Sequence, residues 1–329
     1  MYTEQDASQK QNKPLISFII PYYNVPAELL RDSLESIINL SLSDDEYEII
    51  LIDDGSEISP KEIICKYKNI RYLYQNNQGP GAARNLGIDN AKGVYIQFVD
   101  ADDRLNSKEY DKCLQQLKIK RPDILIFNYI RTDEFGISKE YDIINTSLSL
   151  SGAEFMLSNN LHGSPWFNIF KSEIATDLRF PTDIMNEDED FVARLIVTGK
   201  HVLTYPVYAY IYHYRRGSLT NATSNERVIR RVTDSETLII RLYEFSKQLS
   251  GDQLAAMKRR INQLTMDYIY NSITLVHSWS LLMKQIKSLK AYHLYPLDKQ
   301  KYTLKYYLFS MLSTSKLGLF VIFNLLRRR

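Results

Sequence analysis

Residues 94–103, with the sequence VYIQFVDADD, decide how this chain folds. The apolar, β-forming residues predict a short buried strand that brings Asp100, Asp102 and Asp103 together at its carboxyl end. Carboxylates at this density repel one another, so a positive group is expected beside them. A divalent cation fits, because Mg²⁺ and Mn²⁺ commonly bind one or two carboxylates together with substrate phosphates. A solvated Asp-rich turn is the alternative interpretation.

Two further apolar strands are predicted upstream, and each also stops at a polar cluster. Residues 15–20 precede the cluster PYYN at 21–24, and residues 48–52 precede the cluster DDGS at 53–56. Ligands of open α/β sheets bind beyond the carboxyl ends of the strands, so these clusters should converge in space. Further strands are predicted at 70–74 and 124–128 and helices at 27–40 and 80–91, which together favour a mixed, mostly parallel sheet flanked by helices.

The composition is that of a folded globular protein. The chain has 329 residues, of which 44% are hydrophobic and 24% charged. Its two cysteines, Cys65 and Cys113, are predicted to be buried thiols without a disulfide, which suits a reducing compartment. Residues 1–13 read as a flexible, polar N-terminus without the apolar core of a signal peptide, so a cytoplasmic location is predicted.

The charge is distributed unevenly along the chain. Residues 224–329 contain 18 basic and 7 acidic residues, although the net charge of the whole chain is only +2. The region from 221 to 329, which contains this basic stretch, is predicted to be a basic helical extension with helices at 226–249, 252–282 and 299–326. Its last segment, KLGLFVIFNLLRRR, fits an interfacial anchor on the inner, anionic face of the cell membrane. The alternative is a helical subdomain that packs on the rest of the protein.

Five motifs occur in a fixed order: PYYN at 21–24, DDGS at 53–56, NQGPGAARNLG at 77–87, FVDADD at 98–103 and NED at 186–188. In this order they resemble the family 2 glycosyltransferases of GT-A fold, of the bacterial surface-polysaccharide type. These enzymes move a sugar from a nucleotide diphosphate to an acceptor with inversion at the anomeric carbon. The resemblance covers residues 14–220 and implies a nucleotide-binding half at 14–129 and an acceptor-binding half at 130–220.

The resemblance implies residues that contact the donor nucleotide: Pro21, Tyr23, Asn24 and Asp54. Asp54 would accept a hydrogen bond from the uracil N–H, which favours a UDP-sugar, while Asp53 supports the turn. Arg84 matches an arginine near the donor; the alternative is an arginine that ties a helix to the sheet. It also stands where a dinucleotide-binding G-x-G-x-x-G motif needs its third glycine, which argues against that motif.

The metal and diphosphate residues are likewise implied by the resemblance. In the donor-contacting segment Asp100, Ala101 and Asp102, Asp102 is the carboxylate closest to a Mn²⁺ or Mg²⁺ ion, and Asp100 faces the ribose and reaches the ion directly or through water. Asp103 would either support this pair or cap the helix that begins near residue 106. His213 would contact the pyrophosphate or the metal, unless it is simply packed in its strand. Arg215 and its neighbour Arg216 suit the diphosphate.

A catalytic base for the acceptor hydroxyl is expected opposite the leaving group. The family's Glu-Asp pair maps onto Glu187 and Asp188, with Asp188 as the base. At a predicted helix N-terminus, the helix dipole should favour its ionised form. A solvated helix start is one alternative, and the repeated dipeptide at 189–190 leaves the register open. Trp166 would border the acceptor or lie in the core.

The function that follows is an inverting, non-processive hexosyltransferase acting on a glycan or lipid-linked glycan acceptor. The chain lacks the Q-x-x-R-W signature of the processive members and a multi-span membrane region, which favours single additions. The alternative is a non-catalytic protein that binds nucleotide-sugars or glycans on the same fold. A nucleotidyltransferase should carry a basic phosphate-binding loop, which residues 21–24 lack, and nucleic acid is not an expected partner because no aromatic-basic recognition motif is present.

Overall fold

The computed structural model describes residues 13–214, 225–298 and 304–326. Arg215 and Arg216 and the terminal basic cluster at 327–329 therefore lie outside the described residues. The strands are β1 (Ile16–Tyr22), β2 (Tyr47–Asp54), β3 (Ile70–Gln75), β4 (Tyr95–Phe98), β5 (Arg104–Leu105), β6 (Ile124–Thr132), β7 (Ser138–Tyr141), β8 (Leu148–Leu150), β9 (Asn168–Lys171) and β10 (Val202–His213). The α-helices are α1 (Ala27–Ile38), α2 (Lys61–Ile64), α3 (Pro80–Asn90), α4 (Ser107–Lys120), α5 (Gly152–Ser158), α6 (Glu187–Thr198), α7 (Asn225–Ser246), α8 (Gly251–Asn271), α9 (Trp279–Ala291), α10 (Leu304–Ser313) and α11 (Lys316–Leu326).

One sheet connects all ten strands, in the order β3-β2-β1-β4-β9-β6-β10-β5, with β7 beside β6 and β8 beside β10. The pairs among β3, β2, β1 and β4 are parallel, and so is the pair of β6 with β10, whereas β9 runs antiparallel between β4 and β6. The predicted mixed, mostly parallel sheet flanked by helices is thus confirmed. Because Tyr22 is opposite Asp53 and Asp54 is opposite Gln75, the polar strand ends share one edge.

Helices α1 and α3 pack on the sheet, as the spacing of their small and apolar residues predicts. Leu30, Leu34 and Ile37 of α1 recur at helical spacing and are buried. In α3, Gly87 lets the helix approach β1 closely, because a Cβ atom there would lie 2.3 Å from Ile19 Cγ2. Helix α3 therefore packs closely against β1.

The boundaries of several predicted elements were wrong. The strand predicted to stop at residue 20 continues through Pro21 to Tyr22. The helix predicted at 252–282 consists of α8, a π-helical turn over 272–276 and the start of α9. It is interrupted at His277, which adopts a left-handed conformation with φ +55° that is uncommon outside glycine. The helix predicted at 299–326 contains a break between α10 and α11. Cys113 is buried as predicted, but Cys65 is exposed; both thiols are free.

The C-terminal helices differ in how much apolar surface they expose. Helices α7 and α8 pack on the remainder of the protein through buried residues such as Leu238 and Ile261, and Arg259 donates to the carbonyl oxygens of Met156 and Asn159 at the end of α5. Helices α10 and α11 instead expose large apolar side chains: Leu304, Leu308, Leu317, Phe320 and Leu325. Across the described ranges, no helix combines the length and the apolarity needed to cross a membrane.

Candidate active site

The end of β2 fixes the first side of the site. Asp54 is buried, and its carboxylate accepts hydrogen bonds from Gln75 Nε2 at 2.7 Å and from the backbone N–H groups of Gln78 and Gly79, each at 2.9 Å. Asp54 therefore holds the glycine-rich entry to α3. Gly79 has φ +91°, a conformation that glycine adopts without steric cost.

Asn24 joins the loops after β1 and β2. Its side-chain oxygen accepts from the backbone N–H of Glu57 at 2.9 Å, and its own backbone N–H donates to Ser56 Oγ at 3.1 Å. Tyr23 beside it is 45% exposed, so its ring is available to a ligand. The two polar clusters that the sequence predicted to converge are thus directly hydrogen-bonded.

Asp103 anchors the acidic turn after β4 to strand β10. It is fully buried and accepts from the Tyr210 hydroxyl at 2.8 Å and from the His213 backbone N–H at 2.7 Å. The same Tyr210 hydroxyl accepts from the backbone N–H of Asp100 at 3.1 Å. Because Asp103 faces β10 and Asn106 is the N-cap of α4, the helix-capping interpretation of Asp103 is wrong. Burial, followed by repulsion from Asp100 and Asp102, raises the pKa of Asp103 well above its ordinary value.

Trp166 supports this arrangement from the core. It is buried and stacks on Tyr210, with ring centroids 4.5 Å apart and planes 9° apart. It also stacks on Tyr212 at 5.8 Å. Of the two interpretations of Trp166, the structure shows the core one, and the stack fixes the ring whose hydroxyl holds the acidic turn.

Arg84 joins the two halves of the site. It is buried on α3, and its Nη2 lies 3.1 Å from Asp100 Oδ1 while its Nη1 lies 3.3 Å from Glu187 Oε1. The turn after β4 and the start of α6 therefore meet at one guanidinium. Burial also raises the pKa values of Asp100 and Glu187, although Arg84 opposes that shift.

Asp188 is the next residue at the start of α6, and it is partly exposed. Burial, followed by repulsion from Glu187 and Glu189, raises its pKa to about 8. The expectation that the helix dipole would favour the ionised form was therefore wrong in its net direction. A helix terminus contributes only about 0.3–1 kcal/mol, less than the roughly 1.4 kcal/mol of one pKa unit, so desolvation and like charge prevail.

The ion pairs of residues 187–190 show which of the two acidic dipeptides lies beside Arg84. Glu189 forms an ion pair with Arg260 of α8, and Asp190 is fully buried between Arg194 at 3.0 Å and Arg241 at 3.4 Å. Both side chains are thus engaged by arginines, which distinguishes them from the Glu187–Asp188 pair beside Arg84. The alternative in which the run is only a solvated helix start does not fit this degree of burial.

A cavity of about 310 Å³ adjoins the acidic turn and is lined by Asp102 and His213, among others. Its remaining lining residues include Arg104, Asp133 and Glu134. Within residues 13–214, 225–298 and 304–326, no three His, Cys, Asp or Glu side chains are placed to hold a metal by themselves. The donor set instead fits Mg²⁺ or Mn²⁺ bound by one or two carboxylates and substrate phosphates.

Several residues that hold the candidate site together could not be recognised from the sequence. Tyr210 and Gln75 lie in ordinary strands, and Arg260 lies in a helix far from any motif. Their roles depend on partners 107, 21 and 71 residues away in the sequence, respectively. Only covariation among related sequences could have indicated such pairs.

Comparisons with known proteins identify the family of the chain. The sequence model of Glycosyl transferase family 2 matches residues 17–178. An uncharacterized glycosyltransferase of Haemophilus influenzae is 33% identical over 202 residues, which are 59% of this chain and 76% of the relative. Glycosyltransferase GlyG of Streptococcus pneumoniae serotype 4 is 26% identical over 275 residues, covering 77% of this chain and 87% of the relative. Other relatives are longer; the chain covers 36% of glycosyltransferase GlyA from the same strain.

Solved structures share the fold. S. aureus TarS 1-349 in complex with UDP-GlcNAc superposes with a TM-score of 0.68 at 19% identity, over 84% of this chain and 80% of that one. The mannosyltransferase PcManGT of Pyrobaculum calidifontis, in complex with GDP-Man and Mn2+, gives a TM-score of 0.52 at 13% identity, over 96% and 87%. The mixed sheet, its acidic edge and the similarity to these proteins together define a glycosyltransferase of GT-A fold. This chain belongs to glycosyl transferase family 2.

Proposed function

We propose that the chain is an inverting, metal-dependent glycosyltransferase that adds single sugars from a UDP-sugar to a glycan or lipid-linked glycan of a bacterial surface polysaccharide. The observation that carries this proposal is the Arg84 bridge, which joins Asp100 to the Glu187–Asp188 pair. A donor-binding turn and a base are needed within one site only if a bond is made there. A protein that merely binds nucleotide-sugars has no use for the base.

The acidic turn would hold a divalent cation. Asp102 is the proposed nearest ligand, since Arg84 already engages Asp100 Oδ1, and Asp102 and His213 line one cavity. Mn²⁺ or Mg²⁺, when bound, neutralises the charge that develops on a departing diphosphate. The buried Asp103 keeps the turn in place through Tyr210, and we assign Arg215 to the diphosphate by its sequence position alone.

The donor nucleotide would occupy the edge formed by β1 and β2. Pro21, Tyr23 and Asn24 are proposed to surround the base and ribose, together with Asp54 and the Asp100–Ala101–Asp102 segment. Because Asp54 already accepts three hydrogen bonds from the protein, it can accept the uracil N–H only through its remaining lone-pair capacity. Its main role is then to hold the glycine-rich loop against the donor.

Asp188 would act as the base. It takes the proton of the acceptor hydroxyl while the acceptor oxygen bonds to the anomeric carbon, and the bond from that carbon to the diphosphate breaks on the opposite face. The electron pair of the broken bond leaves with the diphosphate, which inverts the configuration. A pKa of about 8 is suited to proton transfer near neutral pH.

Peripheral membrane binding through α10 and α11 completes the proposal. Their exposed apolar residues, including Leu317 at 75% and Leu325 at 66%, fit the acyl boundary of a bilayer. Leu317→Glu should reduce co-sedimentation with phosphatidylglycerol vesicles, whereas Ile58→Glu should not, because Ile58 is similarly exposed, at 80%, and lies far from these helices in the sequence. Equal co-sedimentation of the two variants would remove the membrane assignment.

The test of catalysis compares three variants with Mn²⁺ and a panel of UDP-sugars, measuring UDP release and transfer to lipid-linked glycans. Asp102→Asn should lose Mn²⁺-dependent binding of UDP, while Asp188→Asn should keep it and lose transfer. Asp183→Asn, which changes an exposed carboxylate in the loop before α6, is the matched control and should transfer normally. Normal transfer by Asp188→Asn would contradict the assigned base, and absence of turnover in the unaltered chain would favour the binding-protein alternative.

A further inference from the structure

A second cavity lies among the C-terminal helices. It has a volume of about 620 Å³ and is bordered by α7, α8, α10 and α11. Ligand-binding cavities commonly measure about 300–1,000 Å³, so it is large enough for a ligand. Its walls are mainly aliphatic and aromatic, with Leu238, Leu264, Phe309 and Ile322 among them.

Several of the polar side chains in these walls have protein partners. The Tyr306 hydroxyl donates to Asp267 Oδ1 at 2.6 Å, and Asn186 Nδ2 donates to Ser235 Oγ at 2.9 Å. Groups satisfied in this way gain little from a polar ligand, because a new hydrogen bond would only replace an existing one. The space therefore suits a hydrocarbon chain better than a sugar.

The cavity connects two features of the molecule. Asn186 and Glu189 line it, and they flank Asp188 in the sequence, so it reaches the turn that carries the base. Leu312 and Leu325 also line it and are 49% and 66% exposed, so it continues into the apolar surface of α10 and α11. An extended apolar chain in this space would have one end near the base and the other at that surface.

We infer that the cavity binds the hydrocarbon chain of a lipid phosphate that carries the acceptor sugar. The inference rests on the proposed function and names the class of its acceptor. The position and polarity of the cavity support it, since a mainly apolar space leads from the surface of α10 and α11 to the residues that flank the base, where the acceptor sugar has to lie. The two charged side chains of its walls, Glu189 and Asp267, have protein partners in Arg260 and Tyr306. An isoprenoid chain held here presents its head group to Asp188.

The experiment uses the full chain and farnesyl phosphate as the probe, with dissociation constants measured by calorimetry. Leu312→Trp places an indole at the cavity wall and should weaken binding roughly tenfold, which corresponds to about 1.4 kcal/mol. Met311→Trp changes the next residue of the same helix, which is 45% exposed and not among the cavity-lining residues, and should bind as the unaltered chain does. Melting temperatures of both variants verify that they fold.

Each outcome decides a different question. Absence of farnesyl phosphate binding, or equal weakening in the two variants, overturns the cavity assignment. Equally tight binding of dihexanoyl phosphatidylglycerol, with the same sensitivity to Leu312→Trp, shows that the cavity takes bilayer lipid and overturns the acceptor assignment. Failure of the unaltered chain to turn over any UDP-sugar overturns the proposed function alone, because probe binding is measured without a donor.

Discussion

Arg84 contacts Asp100 through Nη2 and Oδ1, 3.1 Å apart, and this ion pair connects α3 to the acidic turn after β4. The Arg84 side chain is only 8% exposed and also reaches Glu187, so one buried cation lies between two carboxylates whose burial disfavours their charge. The stability of the site and its geometry therefore depend on the same guanidinium.

Replacing Arg84 should destabilise the fold strongly. Arg84→Gln leaves Asp100 and Glu187 without their shared cation, and breaking a buried ion pair costs about 3–5 kcal/mol in the free energy of unfolding. Arg230→Gln is the matched control, because Arg230 is 65% exposed and pairs with Asp234 at 3.6 Å, and surface pairs contribute about 0–1 kcal/mol. Urea denaturation measures the free energy of unfolding of both variants. Similar decreases in the two would show that the Arg84 bridge stabilises the fold no more than a surface ion pair does.

Removing one hydroxyl should loosen the acidic turn. Tyr210→Phe deletes the group that donates to Asp103 and accepts from the Asp100 backbone, and an unsatisfied buried partner costs about 1–3 kcal/mol. We expect lower thermal stability and weaker Mn²⁺-dependent binding of UDP. Tyr212→Phe keeps both bonds to Asp103 and a ring stacked on Trp166, so it should retain nucleotide binding. Equal loss in both variants would show that the Tyr210 hydroxyl has no specific part in holding the acidic turn.

The sequence correctly predicted the acidic edge of the sheet and the residues that form it, because parallel strands that end on polar clusters must bring those clusters to the same edge. It did not predict which residues contact these carboxylates. The two residues joined by the Arg84–Glu187 contact are 103 positions apart, and those joined by the Tyr210–Asp103 bond are 107 apart, so no local pattern encodes either pair. The predicted effect on the pKa of Asp188 was wrong for the same reason. Burial raises this pKa, and burial depends on long-range packing that the periodicity of the sequence does not describe.

The rate of transfer should depend on the ionisation of Asp188. A base acts only when deprotonated, so with a pKa of about 8 the value of kcat/KM for the free enzyme should rise with pH up to about 8 and then level off. Profiles are measured at saturating Mn²⁺ with UDP release as the readout. Asp183→Asn should show the same profile. A profile that is flat between pH 6 and pH 9 would contradict Asp188 as the titrating base.

The ion pair between Arg260 and Glu189 should tune that profile from the other side of α6. Arg260 is buried on α8, and Glu189 is one of the two carboxylates whose repulsion raises the pKa of Asp188. Arg260→Met removes the compensating charge, so the repulsion grows and the rise in kcat/KM should move to higher pH. Arg259→Met is the matched control: it removes the neighbouring arginine of α8, which donates to the Met156 and Asn159 carbonyl oxygens. It should destabilise the fold while leaving the profile in place. A shift toward lower pH in Arg260→Met, or equal shifts in both variants, would show that α8 does not act on Asp188 through Glu189.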